Sequence, residues 1–428
     1  MKLLQTLCSF VVVAVALAAH PPPSLSTKTL VVFDPKLVTI ADYSSWIQQL
    51  ESTGLEVVVT ESTADVSLFS NGARQFQNVI VLPAKQRTLG SDITGASLLN
   101  FFNDGGDVLV ITSPEAVSES VRTFVNELGI FPSPKQHSIV DHFKFASEDH
   151  NVIKLSDDNI ANKAVLSSTE HVTYQGSAAL LSNNPLIVPL LQAPTTSYTK
   201  SSKEDDTSAT WAIGKQAYLA AGLQGLNNAR AVWIGDEKLF TNSQIEQNSG
   251  FVNDISQWVF QIKNVIRATS VSHSHVDGTT YEETPYKIKD EVQYTIGFQQ
   301  WDGSNWVPFF ADDIQFEVKL LDPYHRLNLT LLETTDDSAI YQATFPLPDK
   351  HGVFSFHTDY KRPGLSFVDE KVILSIRHLA NDEYPRSWEI TNSWVYITSA
   401  IVVFIGWFVF LLAFIYGKDS KDESKKEK

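Results

Sequence analysis

The chain has 428 residues, 43% of them hydrophobic, with 33 basic against 49 acidic side chains and a formal net charge of −16. That acidity argues against nucleic-acid binding, while the length and ordinary apolar content allow two or three globular domains. The single cysteine, Cys8, lies in the first residues, so the rest of the chain has neither a thiol nucleophile nor a disulfide.

Residues 1–19 carry one lysine, an apolar run from Leu3 to Leu17, and small residues ending at Ala18 and Ala19 before His20-Pro21-Pro22-Pro23. Charge, apolar stretch and small-residue site in this order predict a secretory signal cut near Ala18 or Ala19. Residues 28–135 then alternate apolar strands with amphipathic helices. Leu30–Phe33 reads as a buried strand, and Val57–Val59, Val79–Leu82 and Val108–Ile111 as the second, third and fourth strands. Tyr43, Trp46, Ile47 and Leu50 mark one helical face, and Thr94–Asn103 reads as a second helix. A third is expected to start with Ser113 as cap and Pro114 at its first position, with Val117, Val121, Phe124, Val125 and Leu128 on one side. Strand–helix repetition of this kind predicts an α/β N-terminal domain with a parallel sheet and helices on both sides.

Such sheets often bind ligands at the carboxyl ends of their strands. The sequence has no G-x-G-x-x-G and no G-x-x-x-x-G-K, only Gly105-Gly106 before a strand, which reads as a chain turn. A glutaminase-like domain of similar layout would need a cysteine nucleophile, which is missing here.

Residues 136–268 are less regular and are expected to form a mixed α/β middle domain. Leu186–Leu191, Ala217–Leu223 and Ala231–Ile234 look extended, Lys200–Thr207 reads as a charged loop, and Phe251, Val252, Ile255, Trp258, Val259 and Ile262 share a helical period. Residues 269–290 are polar without a sustained period and read as a hinge. Residues 291–380 predict a membrane-proximal β-sandwich. Ile314, Phe316, Val318 and Leu320 alternate with polar residues, Trp301-Asp302-Gly303 and Trp306 flank a hairpin turn, and Ile340–Phe345, Val353–His357 and Val372–Ile376 add strands.

After a linker at 381–393, residues 394–416 contain no charge, a length sufficient to cross a hydrocarbon core about 30 Å thick. Trp394, Tyr396 and Tyr416 sit near its ends, where such rings favour the headgroup layer. Thr398, Ser399 and Gly406 suit helix–helix contacts in lipid. The tail, 417–428, ends Lys425-Lys426-Glu427-Lys428, and lysines at these positions of a cytosolic tail resemble the dilysine retrieval signal of the endoplasmic reticulum. Signal and tail together predict a type I single-pass protein, bulk lumenal, tail cytosolic.

Candidate chemistry is sparse. His273, His275 and Asp277 alternate as metal ligands do in an extended chain, but a fourth ligand is missing, so solvated hinge histidines are favoured. The pairs Asp312-Asp313 and Asp336-Asp337 lack the separation that glycoside hydrolysis requires and read as turn residues. Trp301, Trp306, Phe309 and Phe310 fit a sugar-stacking platform or a core. No G-x-S-x-G elbow is present. Asn328-Leu329-Thr330 is a glycosylation sequon. No catalytic, cofactor or metal site is expected.

Several long segments carry a resemblance: Ile139–Phe145, Ala221–Arg230, Ser256–Phe260, Val271–His275, Trp306–Tyr324 and His351–Gly364. With the single span and lysine-rich tail, the chain resembles, over nearly its whole length, the DDOST/WBP family of oligosaccharyltransferase subunits, in its fungal form. The resemblance implies a non-catalytic structural subunit. Its complex transfers the dolichol-pyrophosphate-linked oligosaccharide to Asn of N-x-S/T during protein N-glycosylation. It also implies as partners a catalytic multi-span subunit, a subunit of ribophorin II or Swp type, and a small membrane subunit of DAD or Ost type. A lumenal glycan-binding or cargo receptor is the alternative, and an independent carboxylate enzyme is the third possibility.

Overall fold

In the computed structural model, residues 28–90, 92–148, 150–169, 172–202, 210–384 and 392–417 are described. The expected signal residues Ala18 and Ala19 and the retrieval lysines Lys425 and Lys426 lie outside these ranges.

A nine-stranded sheet organises the chain as far as residue 259. Its strands are β1 (Lys28–Phe33), β2 (Glu56–Glu61), β3 (Asn78–Val81), β4 (Asp107–Ile111), β5 (Ile130–Pro132), β6 (Ala179–Leu181), β7 (Ile187–Gln192), β8 (Tyr218–Gln224) and β9 (Arg230–Ile234). The order is β2-β1-β3-β4-β9-β8-β6-β5, with β7 also on β8. Strands β2, β1, β3, β4 and β9 run parallel, and β8 turns back antiparallel to β9. Position follows composition. The central β3, β4 and β9 are buried at every residue, as strands covered on both faces must be, whereas the edge strand β2 is only half-buried.

Alternate residues of each strand serve opposite faces. Val31, Ile80, Leu109, Ile111, Val232 and Ile234 share one apolar cluster with α1 (Ser44–Ser52) and α4 (Ile245–Val259). Leu30, Val32, Val79, Val81, Val108 and Val110 share the other with α2 (Gly95–Asn103) and α3 (Glu119–Glu127). Thr94 caps α2 in a capping box with Ser97. The third helix differs from expectation. Ser113 and Pro114 form a turn closed by Ser113–Ala116 backbone bonds, and the helix begins after Ser118. Pro114 instead presents its carbonyl to the Gln136 N–H.

Two expected boundaries change. The division at 135/136 does not separate two sheets, because β9 pairs with β4 from Ala231↔Val108 to Ile234↔Ile111. The uniformly apolar β9 needs a neighbour on each side, and β4 offers a buried edge. Residues 269–290 are not a hinge throughout, since β10 (Ile266–His275) is a long strand on β11 (Glu291–Trp301). Its polar look reflects half-burial, with one side facing water.

Between α4 and Ser393 the described regular elements are all strands. β10, β11, β12 (Trp306–Pro308), β15 (Thr330–Thr334) and β16 (Ala339–Pro346) make one antiparallel sheet; β13 (Gln315–Lys319), β14 (Pro323–Asn328), β17 (Gly352–Tyr360) and β18 (Val368–Ile376) make another. The two share an aromatic core in which Tyr294 stacks on Phe316 at 4.2 Å, with Phe345 and Phe356 at its edges. The last element, α5 (Ser393–Tyr416), buries none of its residues in the rest of the chain. It is long and apolar enough to cross a membrane.

Candidate functional site

The carboxyl ends of the parallel strands are the first place to look, because strand order reverses between β1 and β3. There the buried Asp34 carboxylate accepts the N–H groups of Lys36 at 3.1 Å and Lys85 at 3.3 Å, tying together the loops after β1 and β3. After β9, the buried Asp236 accepts from the N–H of Gln175 at 2.5 Å and of Lys238 at 2.9 Å. Lys238 Nζ reaches the Gln175 amide oxygen at 2.8 Å. Burial pushes the Asp236 carboxyl up to about 7, its backbone donors and Lys238 only partly restoring the charge. Both carboxylates are thus committed to backbone donors, which fixes loops. At Gly105-Gly106, Gly105 has φ +90° and a Cβ at Gly106 would collide with the Phe101 ring. The pair turns α2 into β4, as expected.

A denser polar constellation lies where the large sheet meets the β layers. Arg230 is fully buried. Its Nη1 donates to the carbonyls of Trp258 at 2.7 Å and Lys263 at 2.8 Å, and its Nη2 to that of Asn264 at 2.8 Å. A cation here meets the negative end of the α4 dipole, and its plane lies 5.0 Å from the Trp258 ring. Asp107 accepts from the Arg230 N–H at 2.7 Å and from Gln261 Nε2 at 3.1 Å. Burial raises the Asp107 carboxyl to about 7 and lowers Arg230 to about 10, each offset in part by its neighbour.

The loop between β17 and β18 docks onto this constellation through backbone groups. Trp258 Nε1 donates to the Gly364 carbonyl at 2.8 Å and Gln224 Nε2 to that of Leu365 at 2.8 Å. The Asn228 amide brackets Phe367, accepting its N–H at 2.6 Å and donating to its carbonyl at 3.0 Å. Ser366 bridges to Asn264 and Ile266. Side chains that bond main chain in this way lock two layers at one angle. Charges set at the start of apolar strands, Asp107 opening β4 and Arg230 opening β9, are the legible signal for this site.

The residues singled out from sequence are scattered. His273 bonds the Tyr286 hydroxyl at 2.9 Å and packs against Tyr281 and Phe356, and burial lowers its pKa. His275 reaches the Thr284 carbonyl at 3.0 Å, and Asp277 accepts from the Thr279 N–H. Both histidines flank Tyr286 and are part-buried, which replaces the expectation of solvated hinge residues. Among the described residues no grouping could hold a metal ion.

Asp313 accepts from Arg362 Nε at 2.6 Å and from the Tyr360 hydroxyl at 3.1 Å. Burial opposes its charge, but these donors outweigh it and keep its carboxyl below the usual range. Asp336 and Asp337 lie in the turn that Thr335 and Ser338 close between β15 and β16. Trp301 and Phe309 are buried, and Arg267 covers Trp306 at 3.8 Å, leaving only Phe310 open among these aromatics. Asn328 stands exposed at the end of β14. Thr398 and Ser399 bond carbonyls of their own helix.

Comparison with known proteins yields one consistent result. Residues 22–262 match the family model for the OST48 N-terminal domain, and residues 273–418 match that for the OST48 middle domain. The chain is 43% identical over 398 residues to the dolichyl-diphosphooligosaccharide–protein glycosyltransferase subunit WBP1 of Saccharomyces cerevisiae, covering 91% of each chain. It is 30% identical to the Schizosaccharomyces pombe subunit wbp1 over 401 residues, 89% of this chain and 91% of the other. It is 31% identical over 438 residues to the 48 kDa subunit of the Drosophila melanogaster glycosyltransferase, covering 95% of both.

Proposed function

Because the chain belongs to the OST48 family, we propose that it is a structural, non-catalytic subunit of the oligosaccharyltransferase complex of the endoplasmic reticulum membrane. There it supports transfer of the dolichol-linked oligosaccharide to asparagine in N-x-S/T. One structural observation carries the non-catalytic part of this reading. The charges most perturbed by burial, Asp107, Arg230 and Asp236, are bonded to main chain, where a substrate cannot reach them. Perturbed groups in a cleft would suggest catalysis; perturbed groups sealed inside the body, two at the junction and one in the loop after β9, support a rigid frame.

Finer features belong to the same proposal. The N-terminal sheet is read as flavodoxin-like or GIFT-like and the two β layers as a membrane-proximal sandwich. The chain is single-pass and type I, with its signal removed near Ala18 or Ala19, Asn328 open to glycosylation, and Lys425 and Lys426 acting in retrieval. Its partners are the catalytic multi-span subunit, a ribophorin II or Swp-type subunit, and a small DAD or Ost-type membrane subunit.

The test is purification of the solubilised full chain, identification of stoichiometric partners, and transfer to an acceptor peptide measured per recovered complex. A subunit co-purifies with the transferase and has no activity alone. Activity of the isolated chain, or release of a bound glycoprotein by competing sugar, would replace this reading with an enzyme or a receptor.

A further inference from the structure

The two ends of the β layers are unlike. At one end the β17–β18 loop docks on Trp258, Gln224 and Asn228. β18 then runs away from that junction to Ile376, opposite Gly352 at the start of β17. The chain therefore leaves the body at the end farthest along these strands from the large sheet. It stays attached a little further. Arg377 N–H donates to the Tyr286 carbonyl, and its guanidinium grips Glu383 through two bonds of 2.6 and 2.8 Å. From Tyr384 to Ser393 at the head of α5, the chain reaches about 30 Å at full extension. This end of the body therefore lies close to the bilayer that α5 crosses.

The same end carries apolar side chains that the described residues leave uncovered. In the β13–β14 turn Leu321 is 93% exposed and Leu320 is 39% exposed. Val353 and Ile373, on the outer face of β17 and β18, are 59% and 63% exposed. Register brings them together: Lys319, Ser355 and Ile373 lie side by side across β13, β17 and β18, with Val353 opposite Ser375. A Cβ on Gly352 would touch Leu320 Cδ1 at 3.2 Å, so the turn lies against the start of β17. Val276, next to the end of β10, adds a further exposed side chain at this rim. Apolar groups gathered at one end, with Lys350 exposed beside them, are what an interfacial segment presents to headgroups and upper acyl chains.

We propose that this rim, led by Leu320 and Leu321, dips into the lumenal leaflet beside the span and sets the body's height and tilt on the membrane. The proposal rests on the reading of α5 as a span. A lipid surface is the occupant because the chain from Tyr384 to Ser393 spans at most about 30 Å, which keeps the rim within that reach of the bilayer.

The test uses the full chain in vesicles of phosphatidylcholine with phosphatidylinositol. Nitroxide spin labels are placed singly through Leu321→Cys, Asp336→Cys and Ile405→Cys in a Cys8→Ser background. Collision with oxygen, which concentrates in lipid, is compared with collision with a water-soluble nickel chelate. Ile405→Cys reports the span itself: a lipid signature there keeps the α5 reading intact whatever the rim does. At Leu321 the oxygen-to-nickel ratio should exceed that at Asp336, in the turn between β15 and β16, by about threefold or more, as for an interfacial residue. Equal ratios at the two sites would overturn the proposal. So would low collision with both reagents at Leu321 in the purified complex, since that marks a protein partner covering the rim. Leu321→Asp is a second variant free of a label: it should leave the melting temperature unchanged while making Val353→Cys more accessible to nickel, and no change at Val353 would count against insertion.

Discussion

Arg230 shows how a buried charge acts as a structural part. Three carbonyls at the end of α4 and its approach depend on it, and Asp107 sits close behind. Arg230→Met should destabilise the full chain by about 3–5 kcal/mol in urea unfolding, because it leaves three buried carbonyls without a donor and takes a countercharge from Asp107. Asp236 gives a pH signature. Its folded pKa is raised to about 7 from 3.8, so between these values the folded state holds more protons than the unfolded chain. Its contribution is therefore most favourable below pH 4 and is lost as pH rises to 7, by up to about 4 kcal/mol. Asp236→Asn should flatten the stability profile over that window relative to wild type. A slope unchanged by the substitution would show that Asp236 titrates normally.

At the scale of elements, β10 replaces an expected hinge and carries His273 into an aromatic cluster. His273→Ala removes the bond to Tyr286 and the edge contacts with Tyr281 and Phe356. It should cost about 1–3 kcal/mol, as for a buried hydrogen-bonded group, without changing the metal content by elemental analysis. The β17–β18 loop is the second sensitive element. Gly364 has φ +93°, and a Cβ there would lie 2.9 Å from Val165. Gly364→Ala should thus loosen the junction, seen as faster hydrogen exchange at Leu365, Ser366 and Phe367, while β3 and β4 keep their protection.

For the whole molecule, a frame and an enzyme fail differently. Trp258 is fully buried and anchors the junction loop, so Trp258→Ala should cost about 3–5 kcal/mol. The number of complexes recovered by pull-down should fall while transfer per complex holds. Asp312→Asn, on an exposed carboxylate, should change neither quantity. A general acid or base would instead lose about 10²–10⁴ in rate with assembly intact.

What could be read from residues alone followed local periodicity. The strands at Leu30–Phe33, Val79–Leu82 and Val108–Ile111, the helical face from Phe251 to Val259 (Ile262, expected on it, lies past its end) and the apolar run of α5 all declare themselves, because side-chain spacing and burial of neighbours are properties of short segments. Resemblance of long segments supplied the family. Partnership between distant segments required the tertiary structure. Nothing near Ala231–Ile234 says that it pairs with Val108–Ile111, since every apolar strand offers the same unpaired edge. The junction is the clearest case. Asp107, Asn228, Arg230, Trp258 and Gly364 lie far apart in sequence and acquire a common role only when packing encloses them. Burial then turns ordinary polar groups into ones that must find partners, and the fold decides which partners are within reach.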